Sequence, residues 1–191
     1  MSYCDAAPGH EWHGPYHDHE YGFPLEDDAA LFERLMLEIN QAGLSWLTIL
    51  RKREAFRRAY GGFDPDVVAA YGARDRRRLL ADAGIIRNRI KVDAAIANAK
   101  QVLELRKSHG SFAGWLAAHH PRSKEEWVTL FRHTFRFTGG EIVGEFLMSI
   151  GYLPGAHTDA CPVYRRIMKH RPPWAASVRG KKRVRRTGGR T

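Results

Sequence analysis

Apolar residues recur every three or four positions through most of the chain before Pro162, and no stretch alternates apolar and polar residues as a half-buried strand would. The pattern predicts an all-α protein. Its clearest stripe lies in "DDAALFERLMLEIN", where Leu31, Phe32, Leu35, Met36 and Ile39 share one side of a helix that opens with acidic residues. "LSWLTILRKREAFRRAY" follows, then "DPDVVAAY", where Asp64 before Pro65 suits a helix start. "RDRRRLLADAG" is stopped by Gly84, and a long helix is expected from about Asn88 to Ser108. "SFAGWLAAHH", "KEEWVTLFRHTF" and "GEIVGEFLMSIG" complete the set, joined by short connections that contain Gly or Pro.

Composition adds a compartment and locates the charge. The 191 residues are 43% hydrophobic, enough for a single domain with a good core over 1–172. Two cysteines, Cys4 and Cys161, near opposite ends of the chain point to a reducing compartment and to metal binding or chance, not to a disulfide framework. The start carries no basic and apolar leader and no run is long enough to span a membrane, so the expectation is a cytoplasmic protein. Of the 31 Lys and Arg, eleven fall in Pro162–Thr191, which has no acidic residue; the remainder carries 20 basic against 21 acidic groups. The net charge of +10 is therefore a property of one end. The segment 173–191 is expected to be a disordered basic tail, either a nonspecific phosphate binder or a solubilising end.

Three groups of residues carry candidate chemistry. Cys4 and His17, with His157 and Cys161 four apart in "HTDAC", form a two-plus-two thiol and imidazole set that suits structural, tetrahedral zinc, although spacing alone favours two unpaired thiols and surface histidines. In "LEINQAGLSW", Glu38 lies at the border of the apolar stripe, so it either faces a cleft or is satisfied by an arginine. Trp46, with Tyr16 and Tyr21 of "YHDHEYG", could add aromatic faces suited to a flat cationic ring. "LADAGIIRNRIK" reads as two helices around a turn at Gly84, Ile85 and Ile86, with Arg87, Arg89 and Lys91 beside a helix N-terminus that could hold DNA phosphates.

Together these motifs resemble the 3-methyladenine DNA glycosylase I family, within the helix-hairpin-helix DNA glycosylases, from about Cys4 to Cys161. "QAGLSW" matches that family unchanged, and "YHDHEYG", "AGIIRNR" and "GAHTDAC" are close. The resemblance implies a zinc clip made by Cys4, His17, His157 and Cys161. It implies a base pocket with Glu38, Tyr16, Trp46 and Tyr21, the last standing where the family usually has Trp. It implies DNA-backbone binding by Gly84, Ile85, Ile86, Arg87, Arg89 and Lys91. The activity implied is hydrolysis of the N-glycosidic bond of a flipped-out alkylated adenine in double-stranded DNA, by a monomer without lyase activity. The chain departs from the family at Ala6, Ile39, Asn40, Gly140 and Glu141. These departures admit two other readings: a different alkylated-base substrate, or a lesion-binding module without excision.

Overall fold

The computed structural model describes residues 2–176, and every regular element among them is helical. In chain order these are α1 (Tyr3–Ala6), α2 (His13–His19), α3 (Asp28–Gln41), α4 (Trp46–Ala59), a 3-10 turn at Gly61–Phe63, α5 (Pro65–Ala69) and α6 (Ala73–Ala81). Then come α7 (Arg89–His109), α8 (Phe112–His119), α9 (Lys124–Thr134), α10 (Gly140–Ser149) and α11 (Pro162–Lys169). None of the described helices is long and apolar enough to cross a membrane. The all-α expectation holds. The short α1, α2 and α11 were not anticipated, because four to eight residues give too few turns for a periodic stripe to register.

The chain divides into two compact units: a body, Leu25–Phe146, and a terminal unit built from Met1–Pro24 and Leu147–Thr191. In the body, α3 packs with α4, α7 and α8. Asp27 caps α3, its side chain accepting from Ala30 N–H at 2.8 Å. The stripe predicted for α3 is too narrow: Leu37 and even Glu33, Arg34, Glu38 and Asn40 are buried as well, so the helix has almost no solvent face after its first turn. Asp64 and Pro65 start α5 as expected, with Asp64 accepting from Asp66 N–H. A second part of the body core is aromatic, with Phe112, Trp115, Phe131, Phe135 and Phe146 at centroid separations of 5.2 to 6.0 Å.

In the terminal unit Tyr16, Leu147 and Ile150 are buried, and a further buried cluster of Cys161, Val163 and Ile167 has Cys4, Phe23 and Tyr164 packed against it. Its two chain segments are tied by Gly22 N–H donating to Ser149 O at 2.8 Å. Gly22 sits at φ +86°, and a Cβ there would come within 2.9 Å of Ala156 and Ile167, so glycine is required on two counts. The tail was expected from residue 173, but residues 173–176 are helical, Trp174 N–H donates to Gly151 O and Ala175 is buried. The rest of the expected tail, 177–191, lies outside the described residues.

Candidate functional site

The last turn of α3 and the turn that follows it form one wall of a cavity of about 550 Å³ in the body. Glu38, Gln41 and Ser45 line it, and Glu141 and Glu145 of α10 face it. "QAGLSW" is the turn itself. Gly43 takes φ +81°, and Ser45 caps α4 by accepting from Thr48 N–H at 3.2 Å, which makes Trp46, half-buried, the first residue of α4. Asn40 O and Ala42 O at the end of α3 receive the ammonium of Lys91 at 2.9 and 2.7 Å.

Glu38 is 4% exposed. Burial, reinforced by the neighbouring charge of Glu145 and opposed by Arg34, pushes its carboxyl up to about 8. At neutral pH it is therefore mostly an O–H donor, a state that an exposed or arginine-paired glutamate would not adopt. The sequence placed Glu38 at a cleft but missed Glu145, although Glu141 and Glu145 stand four apart on one helix and could have been read as a carboxylate pair on a single face. Among the departures from the family, Glu141 lines the cavity, whereas Ile39 and Asn40 are buried, with Asn40 Nδ2 donating to Met36 O of its own helix. Ala6 is exposed in α1.

The hairpin between α6 and α7 is anchored by the buried Ile85 and gripped by Lys52 Nζ, which donates to Ala83 O and Gly84 O at 3.0 and 3.2 Å. Gly84 N–H is used inside the turn, on Asp82 Oδ1 at 2.7 Å. Asn88 caps α7 by accepting from Lys91 N–H. Arg87 and Arg89 are exposed, Arg89 at 84% with only a long pair to Asp93 at 3.8 Å. Lys91 corrects the expectation. It was grouped with the phosphate-binding residues, but it is 4% exposed and both its N–H and its ammonium have partners inside the body, so its charge serves the end of α3.

In the terminal unit Cys4, His17, His157 and Cys161 come together, their donor atoms all within 4.8 Å of one another. His17 Nδ1 lies 2.7 Å from Asp18 Oδ1, a contact that requires Nδ1–H and leaves the Nε2 lone pair facing Cys161 Sγ at 3.7 Å. His157 is held the other way: its Nε2–H donates to Tyr21 O at 2.8 Å, and Nδ1 faces Cys4 Sγ at 3.6 Å and Cys161 Sγ at 3.5 Å. Burial lowers the His157 pKa and keeps the ring neutral, as a ligand must be. The arrangement fits a metal ion at its centre. Tyr21 is joined to this cluster through its carbonyl, and its ring lies 5.6 Å from that of Tyr16 at 32°. Asp18 orients the His17 ring, a contact that its adjacency to a candidate ligand signals in the sequence.

A family-wide sequence profile described as methyladenine glycosylase matches residues 7–129. DNA-3-methyladenine glycosylase 1 of Escherichia coli (strain K12) is 36% identical over 168 residues, covering 78% of this chain and 89% of that protein. The DNA-3-methyladenine glycosylase of Haemophilus influenzae is 35% identical over 166 residues, covering 77% and 89%. Among solved structures, 3-methyladenine DNA glycosylase I from Staphylococcus aureus, studied for its recognition of 3-methyladenine, aligns with a TM-score of 0.75 and 33% identity over 85% of this chain and 96% of that one. A Tyr-to-Phe variant of 3-methyladenine DNA glycosylase I in complex with 3-methyladenine gives the same TM-score, at 32% identity over 85% and 97%. The match spans both "QAGLSW" and the hairpin, and on it the chain belongs to the methyladenine glycosylase family.

Proposed function

We propose that the protein is a monofunctional DNA glycosylase that removes N3-alkylated adenine from double-stranded DNA. The observation that carries this reading is Glu38: a buried carboxyl, kept largely neutral, opening onto a cavity in a member of this family. An alkyl group on N3 makes the adenine cationic, so when the C1′–N9 bond breaks its electron pair neutralises the ring and the base leaves uncharged. Little acid catalysis is needed. The chain's task is to admit the flipped base and to discriminate it. Glu38 would hydrogen-bond the base edge, and the aromatic face of Trp46 would favour a cationic ring. Water adds to C1′ as the oxocarbenium-like sugar forms and loses a proton, leaving an abasic site. An amine nucleophile at the sugar is not part of this reading: Lys91, the lysine next to the hairpin, has its ammonium bonded to Asn40 O and Ala42 O.

Arg87 and Arg89, with the hairpin backbone from Gly84 to Ile86, would hold phosphates without reading sequence. Cys4, His17, His157 and Cys161 would hold zinc. A tetrahedron with arms of about 2.0 to 2.3 Å has edges of roughly 3.3 to 3.8 Å, and the three sulfur-to-nitrogen separations of 3.5, 3.6 and 3.7 Å lie in that range. Four protein donors fill the coordination, so the metal's role would be structural, with the segment 1–172 as its domain.

The test is release of free bases from dimethyl-sulfate-treated DNA, separated by chromatography, with Glu38→Gln alongside. Release of 3-methyladenine that is lost in the variant supports the reading. Tight binding to the same DNA with no release would leave a lesion-binding module instead.

A further inference from the structure

Two buried or half-buried carboxyl groups face one cavity, and the reaction just described accounts for only one of them. Glu145 lines the same cavity wall as Glu38, reaches it from α10 instead of α3, and is close enough for its charge to bear on Glu38. Glu141, one turn earlier on α10, is different in kind: its side chain is 92% exposed at the rim, with Lys124 at 3.6 Å. The other charged groups near Glu38 are Arg34, one turn back on α3, and Lys91 of α7, whose ammonium is directed at Asn40 O and Ala42 O.

We propose that Glu145 is a specificity-determining residue, which with Glu38 presents a paired O–H donor and anionic acceptor to the edge of a cationic adenine. The inference rests on the excision reading above and deepens it. Burial, with the charge of Glu145 across the same cavity, holds the Glu38 carboxyl protonated, so Glu38 offers the O–H and Glu145 the carboxylate. The base edge must then complement one donor and one acceptor. An adenine edge offers N7 as acceptor beside the N6 amino donor, and matches. A guanine edge offers two acceptors, O6 and N7, so one of them would meet the carboxylate. The remaining negative charge also balances the cationic ring, which a neutral, unmodified adenine would not do. A lone neutral Glu38 would supply the donor without the charge.

The experiment compares wild type, Glu145→Gln and Glu104→Gln in three readouts: excision of 3-methyladenine and 3-methylguanine from methylated DNA, binding of free 3-methyladenine by calorimetry, and a 13C NMR titration of the Glu38 carboxyl. In Glu145→Gln the 3-methyladenine to 3-methylguanine ratio should fall about tenfold, free-base affinity should fall by about the same factor, and the Glu38 titration should move down by about one pH unit. Glu104→Gln, exposed on α7 and paired with Lys107 at 2.7 Å, should match wild type in all three. A Glu145→Gln protein with unchanged ratio, affinity and titration, in a wild type that excises, overturns the assignment and leaves the excision reading standing. A wild type that releases no 3-methyladenine overturns the excision reading, and this specificity role with it.

Discussion

The body and the terminal unit bury polar side chains by opposite means. In the body, Glu38 leaves water because α3 is surrounded by apolar packing, with Leu31, Phe32, Leu35, Met36, Leu37 and Ile39 fully buried on the same helix. The hydrophobic core is large enough to carry the cost of one dehydrated carboxyl, which responds by holding its proton. In the terminal unit Tyr16, Leu147 and Ile150 are buried too, but there four metal-ligand types, Cys4, His17, His157 and Cys161, also come together beside the cluster of Val163 and Ile167. The first arrangement tunes a group for chemistry. The second gathers donors from which the proposed metal would draw its ligands and the unit its stability.

The sharpest way to break that contrast is to remove the metal. Stripping it at neutral pH, or replacing Cys161 with Ser, should cost several kcal/mol and lower the melting temperature by about 10 °C or more. Hydrogen exchange should accelerate in α2 and α11, while the buried positions of α7, such as Ala95, Ala99 and Val102, stay protected. Zinc measured at one equivalent in wild type and none in the variant completes the test; equal protection in both states would mean the terminal unit does not depend on the cluster. Glu38→Gln should do the reverse. Excision should fall about 10²-fold with the fold intact, and a rate near wild type would remove Glu38 from the site.

The same residue predicts how stability varies with pH. Glu38 titrates at its ordinary 4.5 in the unfolded chain and at about 8 when folded, so between those values the folded state binds more protons. Its stabilising contribution is complete below about 4.5, declines as pH rises, and is lost above about 8. In that window it costs at most about 1.4 kcal/mol per pH unit. Chemical denaturation from pH 5 to 9 should show the decline in wild type and a flatter profile in Glu38→Gln. Parallel profiles would place the proton elsewhere.

What the sequence revealed follows the same division. Long periodic helices were legible because burial on one side repeats every turn, and the cap residues Asp27, Asp64 and Asn88 are where local hydrogen bonding demands them. Glu38 was legible as a border position on its stripe. The cluster of Cys4, His17, His157 and Cys161 was visible as residue types and spacing, but its partners are 144 and 153 residues apart, and only the fold brings them together. Glu145 has a signal on its own helix, a carboxylate four residues after Glu141, but that it faces the same cavity as Glu38 is visible only in the fold. Lys91 was misassigned because a lysine beside exposed arginines reads as one more positive charge, and sequence periodicity does not say which way a first-turn side chain points when both directions offer oxygen atoms.

That misassignment gives a direct experiment on the body. Lys91→Met removes the two hydrogen bonds to Asn40 O and Ala42 O and should cost about 1 to 3 kcal/mol in stability, since two buried carbonyls lose a charged donor. Because the ammonium is inside the fold, the slope of DNA affinity against salt should stay as in wild type.

Arg89→Ala makes the opposite prediction and has the smallest expected effect. Its side chain is 84% exposed and its pair with Asp93 is long, so stability should change by less than about 0.5 kcal/mol. If the guanidinium holds one phosphate, the log–log salt slope should become shallower by about 0.9, the counterion release of a single contact. A slope changed by Lys91→Met and not by Arg89→Ala would reverse the assignment, placing the DNA backbone against the base of α7 instead of the hairpin tip. Each variant thus tests the other: one residue within helical reach on the same first turn is committed to the interior, and the other is left to the solvent, where a polyanion can take it.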